Sequence, residues 1–265
     1  MPTPVCLTTA MCALTAVLAV AACGGEGPSP ASSAPQAGTS AAAPAAPTDT
    51  ADGPGVITGT TVFVGTAPQP RDLPMDADPL CKPEPGASTS ERLLVGPGNG
   101  LRNVFVYVKD GLGARTYAVP TTPVTLDQKG CRYVPHVFGV QVGQQVNISN
   151  SDPALHNVHA IPKANREFNF SQSPKVPPAP RTFTAPEVMV PIRCDVHPWM
   201  NAFAGVVPHP FFAVTREDGS FEIKGLPPGT YTIEAWHEEL GTQTQSVVVD
   251  GTTPAKISLS FKLTT

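Results

Sequence analysis

Four residues, His156, Cys194, His197 and Met200, combine side-chain types and spacing that suit one soft metal ion. Three of them fall in the short run Cys194-Asp195-Val196-His197-Pro198-Trp199-Met200, and His156 lies well upstream. A metal that alternates between two charges needs a thiolate and imidazoles in one plane, with a weak thioether at longer range. Such a set strongly prefers neither Cu(I) nor Cu(II), so the expectation is one copper ion acting as a one-electron couple. Zinc fits less well, because a thioether is a poor zinc ligand and the run offers no further thiolate or hard ligand. Singly, each residue has an ordinary reading as a free thiol, a loop histidine or a core methionine. The His-Cys-His-Met order across a strand, a tight loop and a strand is what carries the expectation.

Other metal chemistries lack their residues. There is no Cys-x-x-Cys-His for covalent haem, no second Cys in the loop, and no His-x-His pair for a copper cluster. A lone site of this kind has no open coordination position, so it is expected to move electrons and not to act as an enzyme. His159 is three residues from His156 and on a strand would face the other way, which argues against a shared metal. His136, His209 and His237 show no ligand spacing.

The elements that must position these residues read as strands throughout. Residues 56–57, 61–64 and 104–108 are apolar runs, and 137–142 with 146–148 about Gly143-Gln144 reads as a hairpin. Residues 188–192 lead into Cys194 and 201–207 leave the loop. Beyond Pro208 the texture is that of successive hairpins, 211–215, 221–223, 231–236 and 245–249, separated by Asp218-Gly219 and Pro227-Pro228-Gly229. After Asp250-Gly251, Ile257, Leu259, Phe261 and Leu263 alternate strictly. The fold class expected is all-β, in two sandwich-like parts.

Composition bounds the partners. The net charge is −4, only 14% of residues are charged and no basic block exists, which excludes nucleic acid. Residues 14–22 form an apolar run too short to span a bilayer, ending in small residues before Cys23, although residues 1–9 contain no Lys or Arg. The string Val20-Ala21-Ala22-Cys23-Gly24 resembles a bacterial lipobox, which implies export and a lipid anchor to the membrane on Cys23, with 1–22 as signal peptide. Residues 23–54 are Ala, Pro, Ser, Thr and Gly with almost no large apolar side chain, the composition of a flexible tether. Largely extended, it would reach about 90 Å. Of the cysteines beyond Cys23, only Cys81, Cys131 and Cys194 remain. In an oxidising compartment, with Cys194 assigned to the metal, Cys81 is expected to pair with Cys131 in a disulfide.

The segment from Gly143 to Asp152, followed by His156-Asn157-Val158-His159, together with Cys-x-x-His-Pro-x-Met, resembles the cupredoxins, and amicyanin most. The resemblance covers roughly residues 120–208. It implies a Greek-key sandwich, a type 1 copper ion, electron carriage at the cell envelope, and a role for Asn157 in bracing the cysteine loop. It also implies that His197 reaches the surface through an apolar patch, with Trp199 nearby, where redox partner proteins dock. Residues 215–232 resemble carboxypeptidase-regulatory-like, transthyretin-like modules, which imply support or docking and no peptidase chemistry. The organisation expected is 120–208 as the copper domain, 209–265 as the second sandwich, and 55–119 as N-terminal strands that are either the first part of that second sandwich, with the copper domain inserted in it, or an extension of the copper domain. Alternatives to electron carriage are copper delivery or buffering, and an adhesion or interaction module with a structural metal.

Overall fold

The structure, a computed structural model, describes residues 48–49, 53–82 and 88–263. The apolar run at 14–22, Cys23 and nearly all of the proposed tether lie outside the described residues. Those described form strands joined by turns, with two short 3-10 turns, Met75–Ala77 and Pro97–Asn99, and the fold is all-β.

One core lies between two sheets. The five-stranded sheet runs Phe168–Gln172, His156–Ala160, Glu187–Arg193, Asn201–Val207, Val137–Gln141. Facing it are Ala179–Thr182, Gln145–Asn150, Val124–Gln128 and Tyr133–Val134. Alternation builds this core: along Gln145–Asn150 the buried positions are Val146, Ile148 and Asn150. Leu126, Ile148, Val158, Val190 and Ile192 meet there at 1% exposure or less. Each buried aliphatic side chain of this size contributes about 1.5–3 kcal/mol.

A second core lies between Phe212–Val214, Phe105–Asp110, Gly229–His237, Gly241–Val249 and the sheet Ser220–Leu226, Gly55–Phe63, Ala255–Phe261. Strands from 55–63 and 105–110 therefore pair with strands beyond residue 211, and the first core is built by the chain between them. The two cores meet through Phe105, which packs with Val137 and Val207 and lies over two glycines of the first sandwich. A Cβ on Gly205 would sit 2.4 Å from the Phe105 ring, and one on Gly139 2.2 Å from Phe212. Only glycine allows this approach.

Most of the expected hairpins are absent as hairpins. Val137–Gln141 and Gln145–Asn150 belong to different sheets, and Val137–Gln141 pairs in parallel with Asn201–Val207. Asp218-Gly219, Pro227-Pro228-Gly229 and Asp250-Gly251 likewise carry the chain from one sheet to the other. The one hairpin of that region joins Gly229–His237 to Gly241–Val249. Alternation of apolar residues says which face of a strand is buried, and it is silent on the neighbour. Here an arch that places two apolar faces on one core won over pairing in one plane.

Of the described residues between 64 and 103, none belongs to a strand of either sandwich, apart from isolated bridges. Their Met75 and Cys81 enter the first core, and Cys81 is disulfide-bonded to Cys131.

Candidate metal centre

His156 opens the strand His156–Ala160, Cys194 follows Glu187–Arg193, and His197 and Met200 sit in the loop before Asn201–Val207. The loop is closed by its own backbone: Cys194 N–H donates to the Met200 carbonyl at 3.1 Å, and Met200 N–H to that of His197 at 2.9 Å. This cross-bonding holds three of the four expected residues with little freedom.

One ligand atom from each of His156, Cys194 and His197 falls in a cluster within 4.8 Å of one another. The two Nδ1 atoms are 3.0 Å apart, and Cys194 Sγ is 3.7 Å from Nδ1 of His197. All three residues are at most 2% exposed. Met200 is buried in the same core cluster, fixed by its two backbone bonds. Asn157 binds the cysteine loop twice. Its backbone N–H donates to Cys194 Sγ at 3.3 Å, and its Oδ1 accepts from Asp195 N–H at 3.2 Å. His197 N–H also donates to Sγ at 3.4 Å.

Two further side chains complete the site. Nε2 of His156 donates to Asp152 Oδ2 at 2.8 Å, and Nε2 of His197 to Asp78 Oδ2 at 3.0 Å. Asp152 is itself held by backbone N–H groups of Gly130 and Cys131 at 2.6 and 2.8 Å. With both Nε2 atoms donating, neutral rings would turn two Nδ1 lone pairs toward each other and toward a sulfur. That arrangement repels itself unless a cation lies among them. A soft metal ion or a proton satisfies it, so the donor set fits copper.

The titration behaviour agrees. Burial raises the Cys194 thiol, but the hydrogen bond with His156 and backbone donors outweigh it and bring the pKa down to about 7. Burial lowers the His156 imidazole, yet Asp152 and Cys194 together push it up to about 9. A metal cation would take the place of the proton that the imidazole carries beside the anionic sulfur.

The remaining histidines have other partners. His159 faces away, with Nδ1 3.1 Å from Asp195 and Nε2 2.9 Å from Glu167. His209 Nε2 donates to the Val108 carbonyl at 2.8 Å, and His136 is bonded to Glu238 across the two cores. His197 departs from the surface position that the cupredoxin resemblance implied, because Asp78 and its segment cover the imidazole edge. Trp199 is half-buried, its ring centroid 5.1 Å from that of His197 and its Nε1–H donating to the Cys131 carbonyl at 3.1 Å. Asp152 stands four residues before His156, a spacing that signals proximity. Nothing local links Asp78 to His197.

Comparison with known proteins gives partial likenesses. Residues 193–256 match the family described as polysaccharide lyase family 4, domain II. The copper-containing nitrite reductase of Thermus scotoductus SA-01 is 22% identical, over 37% of this chain and 25% of that one, with TM-score 0.31. A reduced amicyanin variant is 23% identical over 33% of this chain and 85% of that one, with TM-score 0.29. The purple cupredoxin of Nitrosopumilus maritimus is 19% identical over 31% and 98%, with TM-score 0.27. The chain thus spans a quarter of the nitrite reductase it matches. No curated protein matches.

Proposed function

We propose that this chain is an exported copper protein that carries single electrons. The observation carrying the reading is the convergence of two imidazole Nδ1 atoms on the buried Cys194 sulfur, with each far nitrogen anchored to a carboxylate. Bound copper would supply a one-electron couple. The protein's own share is to fix the donors so that little moves when the charge changes. Asp152 and Asp78 hold the ring planes, and the N–H groups of Asn157 and His197 stabilise the thiolate. Met200 offers the weak thioether, and burial keeps water out. Donors that are each at most 2% exposed favour retention of the ion over delivery.

Leu155 and Val196 are about half exposed immediately beside His156 and His197, and Pro198 is exposed next to them. This apolar rim suits a redox partner protein. A lipid on Cys23 and the tether that follows would let the domain range over a membrane surface.

The test is the visible spectrum and voltammetry of the copper-loaded, oxidised chain. An intense blue or purple band with a reversible one-electron wave is expected, and Cys194→Ser should remove both. A colourless copper-loaded protein without such a wave sinks the reading.

A further inference from the structure

Met200 is the donor whose place depends most on the protein. A thioether binds weakly, so its reach is set by the backbone that carries it and not by the metal bond. Side chains from elsewhere tie that backbone down on both sides. Trp199 is held through its Nε1–H on the Cys131 carbonyl, and its own carbonyl accepts from Asn201 Nδ2 at 3.1 Å. The Asn201 carbonyl in turn accepts from Nδ1 of His136 at 3.0 Å.

His136 stands one residue before the strand Val137–Gln141 of the first sandwich, but its other nitrogen looks out of it. Nε2 meets Oε1 of Glu238, in the turn between Gly229–His237 and Gly241–Val249 of the second sandwich. A carbonyl faces one nitrogen and a carboxylate the other, so the ring donates on both sides and is a cation paired with Glu238. The two side chains are 4% and 7% exposed. Such a buried pair adds little net stability over apolar groups of the same volume, while breaking it is costly; what it supplies is a fixed position. Phe203 lies edge-on to the ring, 5.8 Å between centroids, and its N–H donates to the His136 carbonyl at 2.9 Å.

We propose that Glu238 is a positioning residue of the metal centre: through His136 and Asn201, a turn of the second sandwich fixes where Met200 presents its sulfur. The inference rests on the copper reading above and gives the second sandwich a part in the site. Three links make the line, Glu238 to His136, His136 to Asn201, and the peptide that joins Asn201 to Met200.

Three variants of the full chain test it. Glu238→Ala breaks the line at its start, and Glu238→Gln keeps a hydrogen bond to His136 without the charge. Glu239→Ala removes a carboxylate of the same turn that pairs with Arg92. In voltammetry of the copper-loaded chain, Glu238→Ala should raise the ratio of Cu(I) to Cu(II) affinity about threefold, or about 28 mV at 59 mV per tenfold, because a loosened thioether supports Cu(II) less. Glu238→Gln should recover most of that change, and Glu239→Ala should show none. The double variant His136→Leu with Glu238→Ala leaves no member of the pair alone in the interior, which protects the fold, and it should move the potential no further than Glu238→Ala. Proton–carbon NMR of the metal-free chain should show the Met200 methyl displaced in Glu238→Ala and restored in Glu238→Gln. An unmoved potential in Glu238→Ala, or an equal change in Glu238→Gln or in Glu239→Ala, would overturn the proposal. A wild type with no one-electron wave would sink the copper reading by itself, and the methyl comparison would still decide whether Glu238 positions Met200.

Discussion

Asp78 accepts a 3.0 Å hydrogen bond from Nε2 of His197 although 119 residues separate them. The bond closes the imidazole edge that would otherwise open to solvent, and it aims Nδ1 at Cys194 and His156. A segment outside both sandwiches therefore finishes the metal centre. Three residues after Asp78, Cys81 staples that segment to Cys131, whose own N–H binds the Asp152 that holds His156. Both carboxylate anchors hang on one crosslink.

Removing the Asp78 acceptor should loosen the His197 ring. Asp78→Ala is expected to weaken copper affinity about 10- to 100-fold, and Asp78→Asn, which keeps an acceptor oxygen, should recover most of it. Competition with a chromophoric copper(I) chelator measures both. Equal affinity in wild type and Asp78→Ala would show that the carboxylate does not position the ring.

The disulfide closes a loop with a sequence separation of 50. Cys81→Ser combined with Cys131→Ser should lower unfolding free energy by about 3–4 kcal/mol. Urea unfolding of the metal-free chain reads this directly. Copper affinity should fall as well, since Asp78 would lose its tether; a stability change with unaltered affinity would separate the two roles.

Overpacking should damage the junction of the two cores. In Gly205→Ala the new methyl would press on the Phe105 ring, and overfilled cores lose about 1–3 kcal/mol. Calorimetry should show a lower transition temperature. An unshifted transition would mean that Phe105 can move aside.

Acid should destabilise the second sandwich through His237. Burial, with His136 nearby, pushes its pKa down to about 4 from 6.5, so between those values the unfolded chain binds the extra proton. Stability must then rise with pH across that window, and about 3 kcal/mol is lost on descending through it. His136 acts oppositely: burial disfavours its charge, but the bond to Glu238 wins and raises its pKa, so its contribution persists at low pH. Denaturant midpoints measured from about pH 7 to about pH 4 should show a flatter dependence in His237→Asn. That variant can keep the acceptor used by Glu239 N–H. An identical slope would remove His237 as the cause.

Legibility in the sequence followed distance along the chain. His197 and Met200 lie three and six residues from Cys194, so one loop suffices to bring them together, and alternation marked the strands on either side. The all-β class follows from the same short-range pattern. The disulfide between Cys81 and Cys131 came from cysteine counting. The expected hairpins failed because a turn such as Gly143-Gln144 closes a hairpin or an arch with equal ease, and only the burial of two apolar faces on one core selects the arch.

The amino-acid sequence by itself determined the donor types, the short loop between strands and the lack of a basic block. Each of these depends on covalent neighbours alone. Tertiary structure decided that Asp78 covers His197, that strands before residue 111 pair with strands beyond 211, and that three arginines gather beside Trp199. Those contacts join residues far apart in the chain. Their partners are chosen by which surfaces the folded cores bring together, a choice no local pattern encodes.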